Sequence, residues 1–199
     1  MKKILVTLAL SSLTLTSIAL GITSNNGIAQ QSLTASRPSI PNPAIDAPGF
    51  QQIVRESAAK REANRLTEAE FIKAMQEKGV IVLDARSTRN FNLRHIRGAV
   101  NLPFTEFTES NLAKVIPNKD SKVLIYCNNN FGGSPESFAT KAPVTALNLS
   151  TYVSLQGYGY TNIYELGPLL EISTTKIPFA GTEVVAASKK TALTTPTHR

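Results

Sequence analysis

Short segments dominated by apolar residues recur through the middle of the chain, each closed by a polar residue or a turn former. Residues 80–83 run Val-Ile-Val-Leu into Asp84, and residues 98–102 end at Pro103. Residues 123–126 run Val-Leu-Ile-Tyr into Cys127, and residues 161–166 end at Leu166. The pattern lacks the strict alternation of half-exposed strands, so it predicts strands buried on both faces, as in a parallel sheet. Helices are predicted between them. Thr67-Glu68-Ala69-Glu70 is a capping box, with a hydroxyl at the cap and a carboxylate three residues on. The helix it opens carries Phe71, Ile72 and Met75 and stops at Gly79. Residues 111–116 read as helix up to Pro117, residues 144–156 as helix with Leu147, Tyr152 and Leu155 apolar, and residues 167–172 as a short helix. Strands alternating with helices predict an α/β fold: one domain with a central, mostly parallel sheet flanked by helices. Ligands of such sheets bind beyond the carboxyl ends of strands, where Asp84-Ala85-Arg86 and Cys127 both fall.

The two ends of the chain follow other patterns. Met1-Lys2-Lys3 precedes residues 4–22, which carry no charge, and Gly27-Ile28-Ala29 then places small residues where a signal peptidase reads. That order predicts a signal peptide over residues 1–29, an exported protein of the periplasm or cell envelope, and no stable membrane insertion after cleavage. An uncleaved anchor is the alternative, opposed by Ser11, Ser12, Thr14, Thr16 and Ser17 within the run. Residues 30–65 form a linker and N-terminal arm. Pro38, Pro41, Pro43 and Pro48 stiffen the first part, and residues 50–65 read as a polar helix with Phe50, Ile53, Val54 and Ala58 as a thin apolar stripe against the domain. The domain is expected over residues 66–172, and residues 173–199 as a polar, Thr-rich tail whose last residues have no fold of their own.

Composition narrows the function. Net charge is +7 for the whole chain and +5 without Lys2 and Lys3, and the basic residues are scattered apart from Arg86, Arg89, Arg94 and Arg97. Aromatic residues do not interleave with them, so a nucleic-acid partner is not expected. One cysteine and two distant histidines build no metal site, and no Gly-rich nucleotide loop is present, so no cofactor is expected. A single cysteine in an exported protein makes no internal disulfide; it keeps a free thiol, pairs with another molecule, or is buried and inert.

Four segments in order carry a resemblance. They are Val82-Leu83-Asp84-Ala85-Arg86, His95-Ile96-Arg97-Gly98-Ala99-Val100-Asn101-Leu102-Pro103, Val123-Leu124-Ile125-Tyr126-Cys127 and Gly159-Tyr160-Thr161-Asn162-Ile163-Tyr164-Glu165-Leu166. Together they resemble the rhodanese-like domain family, over roughly residues 66–172. The resemblance implies sulfur transfer through a persulfide on Cys127, a thiosulfate-type sulfurtransferase or sulfur carrier, with a small sulfur donor or a protein thiol acceptor as partner. A non-catalytic partner-binding or thiol redox-sensing module of the same fold is the alternative. The chain departs from the family in two respects. Cys127 and Gly159 are 32 positions apart, which implies an insertion over residues 128–143, and no arginine follows Cys127 until the tail. The second departure argues against phosphatase or arsenate-reductase chemistry, which needs an arginine on its dianion.

Cys127 is therefore the candidate nucleophile, since a loop that aims backbone N–H groups at sulfur stabilises a thiolate or persulfide. Candidate substrate-binding residues are Arg86, for an anionic donor, Asn128, Asn129 and Asn130, for their amides, and Gly132 and Gly133, for a tight loop. Arg86 also reads as the partner of Asp84 in a structural ion pair, and Asp84 and His95 read as structural. Phe131 and Phe138 suggest that the insertion closes over the thiol as a lid; the other reading is that they pin it to the core.

Overall fold

The computed structural model describes residues 40–187. The expected export segment and the end of the tail lie outside the described residues. The chain divides into two units, Met1–Asn42 and Pro43–Arg199, and every described element lies in the second.

In chain order the elements are α1 (Ala47–Ala63), β1 (Arg65–Leu66), α2 (Glu68–Ala74), β2 (Ile81–Asp84), α3 (Thr88–Leu93), β3 (His95–Ile96), β4 (Val100–Asn101), α4 (Glu109–Val115), β5 (Val123–Tyr126), β6 (Phe131–Gly132), α5 (Leu147–Gly157), β7 (Ile163–Leu166), β8 (Leu170–Glu171) and β9 (Phe179–Ala180). The main sheet has the order β1-β7-β5-β2-β4, and every pairing in it is parallel. The continuous apolar runs have the reason expected of them, because both faces are covered. Val123 and Ile125 enter one core with Leu83, Leu112, Tyr152 and Leu155 under α4 and α5. Leu124 and Tyr126 enter the other with Val82, Phe71, Phe131 and Phe138 under α2.

Local signals place the helices. Thr67 and Glu70 form the expected capping box: the Thr67 N–H donates to Glu70 Oε2 at 2.9 Å and the Glu70 N–H to Thr67 Oγ1 at 3.3 Å. Gly79 turns the chain with φ of 80°, a conformation open to glycine. Helix α1 docks along α5 and β7: Lys60 Nζ donates to the Thr161 carbonyl and Asn64 Nδ2, just past the helix end, to that of Ile163, while of the expected apolar stripe Ile53 is half-buried on the side of Gly157 and Phe50 and Val54 stay exposed.

The structure departs from the pattern in three places. Residues 167–172 are not helical; they contain β8, which pairs in parallel with β6 of the insertion, Phe131 opposite Leu170. The strand expected over 98–102 narrows to β4. Beyond residue 173 the chain returns to the domain, where β9 pairs antiparallel with β3 and buries Ile177 and Phe179. Two apolar residues in a Thr-rich stretch are too few to form a periodic signal.

Candidate active site

The end of β2 is built around a buried charge. Asp84 accepts the Arg86 backbone N–H at 2.9 Å, and its carboxylate pairs with the Arg86 guanidinium at 2.5 Å, with both side chains almost fully buried. The Tyr126 hydroxyl donates to the same carboxylate, and burial pushes that phenol well up from its ordinary value, so it stays protonated as a donor. The remaining Arg86 donors go to the carbonyls of Ser137 (2.7 Å) and Arg94 (2.8 Å), and its plane lies 4.2 Å over the Phe138 ring. Arg86 thus joins β2, α3 and the insertion. His95 stacks on Phe91 and bonds the Phe91 carbonyl at 2.7 Å.

Cys127 directly follows β5 and is 1% exposed. Strand alternation turns it to the side of Val123 and Ile125, which is the side of α5. The next three residues form a 3-10 turn, Asn128–Asn130, whose last backbone N–H donates to the Cys127 carbonyl at 3.2 Å. Asn130 holds this turn from below. Its Oδ1 accepts the Cys127 N–H at 2.8 Å and Asn148 Nδ2 at 3.2 Å, and its Nδ2 donates to the carbonyls of Leu166 (2.8 Å) and Pro168 (3.2 Å). Burial pushes the Cys127 thiol up; backbone N–H groups of Asn148, Asn129 and Leu147 pull it down, and the Glu165 charge pushes it up again. Two of those N–H groups open α5, so the positive end of an 11-residue helix faces the sulfur. A cavity of about 160 Å³ reaches the thiol between Asn129, Asn130, Pro143, Asn148, Glu165 and Arg61.

The insertion leaves and returns beside the sulfur. Asn129 Nδ2 donates to the Lys141 carbonyl at 2.8 Å, and the Lys141 N–H donates back to Asn129 Oδ1 at 3.0 Å. Between those ties the chain crosses to the other face of the sheet. Phe131 and Phe138 lie 4.8 Å apart by ring centroid, packed against Phe179, and neither lines the thiol cavity. Asn129 and Pro143, at the two ends of the insertion, flank the cavity instead.

The residues singled out from the sequence therefore separate. Asn129 and Asn130 line the thiol cavity with Cys127. Asn128 and Arg86 line a neighbouring cleft of about 460 Å³ with Ser87, Phe104 and Lys141. Gly132 and Gly133 lie under the Glu171 side chain, where a Cβ on Gly132 would meet Glu171 Oε1 at 2.4 Å, and they line neither space. Pattern reading missed Arg61, Arg65, Asn148 and Glu165. Only Glu165 had a visible signal, a carboxylate inside an otherwise apolar strand.

The family model of the rhodanese-like domain matches residues 67–167. This chain belongs to the rhodanese-like domain family. It is 27% identical over 95 residues to the thiosulfate sulfurtransferase PspE of Escherichia coli (strain K12), covering 48% of this chain and 76% of PspE. It is 32% identical over 110 residues to the tRNA uridine(34) hydroxylase of Aster yellows witches'-broom phytoplasma (strain AYWB), covering 51% of this chain but 29% of that protein. Among solved structures, an E. coli rhodanese with anions aligns with a TM-score of 0.35 and 21% identity, over 52% of this chain and 99% of that one. The Alr3790 protein from Anabaena sp. aligns with a TM-score of 0.43 and 17% identity, over 64% and 90%. Helix α1, strand β1 and residues 168–187 lie outside the matched segment, although Arg61 of α1 and Arg65 of β1 stand at the thiol cavity.

Proposed function

We propose that this chain is an exported sulfurtransferase or sulfur carrier that works through a persulfide on Cys127. The observation that supports it is the cradle at the sulfur. Backbone N–H groups from the 3-10 turn and from the start of α5 converge on Cys127 although the insertion separates the two in sequence. Such a cradle stabilises negative charge on sulfur, whether on thiolate or persulfide. In the reaction, the Cys127 thiolate attacks the sulfane sulfur of thiosulfate. The donor S–S bond breaks, sulfite leaves with the bonding pair, and a Cys127 persulfide remains. An acceptor thiolate or cyanide then attacks the outer sulfur and regenerates the Cys127 thiolate. Export rests on the order of the N-terminal residues alone. The partner is a small sulfur donor or a protein thiol, and the scattered positive charge gives no reason to invoke a nucleic acid.

The near-complete burial of Cys127 and its raised thiol favour the second reading, a non-catalytic partner-binding or redox-sensing module of the same fold. Intact mass after incubation with thiosulfate decides between them. The transferase gains one sulfur atom per chain, lost again on adding cyanide and absent in Cys127→Ser. A chain whose mass never changes is not a sulfur carrier.

A further inference from the structure

The cavity at Cys127 is lined by charge from outside the matched domain. Arg61, in the last turn of α1, donates to both carboxylate oxygens of Glu165, from Nε at 2.9 Å and from Nη2 at 2.5 Å. Arg65 Nε lies 3.3 Å from Glu165 Oε1. Two guanidinium groups thus share one buried carboxylate, and Glu62 balances the charge of the second, Arg65. Arg65 is otherwise saturated, giving Nη1 to Glu62 and Nη2 to the Gly167 carbonyl. Arg61 is not: its Nη1 makes no hydrogen bond to any described residue, and its side chain is 23% exposed.

A second, independent feature lines the same cavity. Asn148 is 5% exposed and its Oδ1 has no hydrogen-bond partner. Its orientation is not free to reverse. Asn130 must present Oδ1 to the Cys127 N–H and Nδ2 to two carbonyls, so Asn148 must give its Nδ2 to Asn130 and turn its oxygen elsewhere. Buried acceptors without a donor are uncommon in folded proteins, and this one lies in the wall of the cavity, closed to a water-sized probe. The cavity, about 160 Å³, is well above the roughly 10–15 Å³ that a single water needs, and so has room for a small anion.

We propose that Arg61 is the anion-binding residue of this site: it holds a small sulfur oxoanion, thiosulfate as donor or sulfite as product, against Cys127. Glu165 keeps Arg61 in place while the cavity is empty, and Arg61 Nη1 meets the anion without breaking that pair. The arm thereby supplies the arginine that the loop after Cys127 lacks. This deepens the persulfide reading and rests on it only for the identity of the anion.

Alkylation of Cys127 in the full chain tests the assignment without any sulfur transfer. The probes are iodoacetate, an anion, and iodoacetamide, its neutral analogue. Relative to the same chain unfolded in urea, the native protein shifts the iodoacetate-to-iodoacetamide rate ratio toward iodoacetate by about tenfold, the size expected for a charge-assisted hydrogen bond. Sodium sulfate protects the native thiol against iodoacetamide. Arg61→Lys keeps most of the preference, and Arg61→Gln loses it. Because Arg61→Gln alone strands Glu165, the double variant Arg61→Gln with Glu165→Gln removes both charges, and it too loses the preference and the sulfate protection. A native ratio equal to the unfolded one overturns the proposal, as does a folded double variant that keeps the native ratio. A protein that shows the preference but never takes up sulfur refutes the persulfide reading alone.

Discussion

Phe138→Ala separates two roles for the insertion, a pin into the core and a lid on the thiol. Phe138 is 2% exposed, packed against Phe131 and Phe179, with the Arg86 guanidinium 4.2 Å from its ring centre. Truncating a fully buried phenylalanine costs about 4 kcal/mol, the lost burial plus the cavity left behind. Loss of the ring face under a desolvated guanidinium adds about 1 kcal/mol. A total of about 5 kcal/mol is comparable with the whole stability of a marginal domain, so the variant is expected to unfold early in urea. The chain has no tryptophan, so circular dichroism is the probe, with Phe50→Ala, at a 57% exposed ring, as the control. The control should fall within about 0.5 kcal/mol of the parent. In Phe138→Ala the native-state alkylation of Cys127 should accelerate only as far as the loss of global stability allows. The reasoning fails if the variant loses less than about 1.5 kcal/mol, below the range for buried aromatic truncation. It fails equally if Cys127 becomes freely reactive while stability is kept, because Phe138 would then be a cover.

Three further outcomes are expected. Cys127→Ser, nearly isosteric, shifts stability by only about 1 kcal/mol in urea unfolding while abolishing sulfur uptake by intact mass. Asn130→Ala removes the acceptor of the Cys127 N–H and the donor to the Leu166 and Pro168 carbonyls, costs about 3 kcal/mol in the same assay, and makes Cys127 alkylation faster as the turn loosens. Burial holds the Cys127 thiol above its ordinary value, so iodoacetamide rates climb with pH and reach half-maximum at a higher pH than for a free thiol. By linkage the neutral thiol favours the fold below the ordinary thiol value, and that contribution is lost as pH rises through the folded value; Cys127→Ser removes this slope from the stability curve.

What could be read from the sequence was what the backbone pattern alone determines. Strands β2, β5 and β7 were visible because both faces of the sheet are covered and their apolar runs are unbroken. Helix α2 was visible because its capping box is local chemistry. Strands β6, β8 and β9 were not, because each is two residues long and is held by a partner distant in sequence: β6 by β8, and β9 by β3. Site residues divided the same way. Cys127, Asn129 and Asn130 lie in one turn, so proximity in sequence is proximity in space. Arg61, Asn148 and Glu165 reach the cavity from three elements, and the meeting of Arg61 with Glu165 spans 104 positions. Arg86 illustrates the converse: an arginine beside a strand end suggested an anion, but a carboxylate two residues away, two carbonyls and an aromatic face take up its donors and its plane.

The insertion is tolerated because of where the strand alternation points. Tyr126 faces the core under α2 and Cys127 the opposite one, so a chain leaving Cys127 can go to either face within a residue or two. Here it goes to the α2 face, buries Phe131 and Phe138 beside Tyr126, pairs β6 with β8, and comes back at Lys141 onto Asn129. Helix α5 then begins on the face that Cys127 occupies. Closing a longer loop costs only about 0.6 kcal/mol per doubling of its length, which two buried phenylalanines offset several times over. Two ties, Asn129 to Lys141 and Asn130 to Asn148, spanning 12 and 18 positions, fix the ends of the loop relative to the sulfur independently of what lies between. The cradle of N–H groups at Cys127 therefore depends on those ties and on the start of α5, and not on the number of residues that separate them.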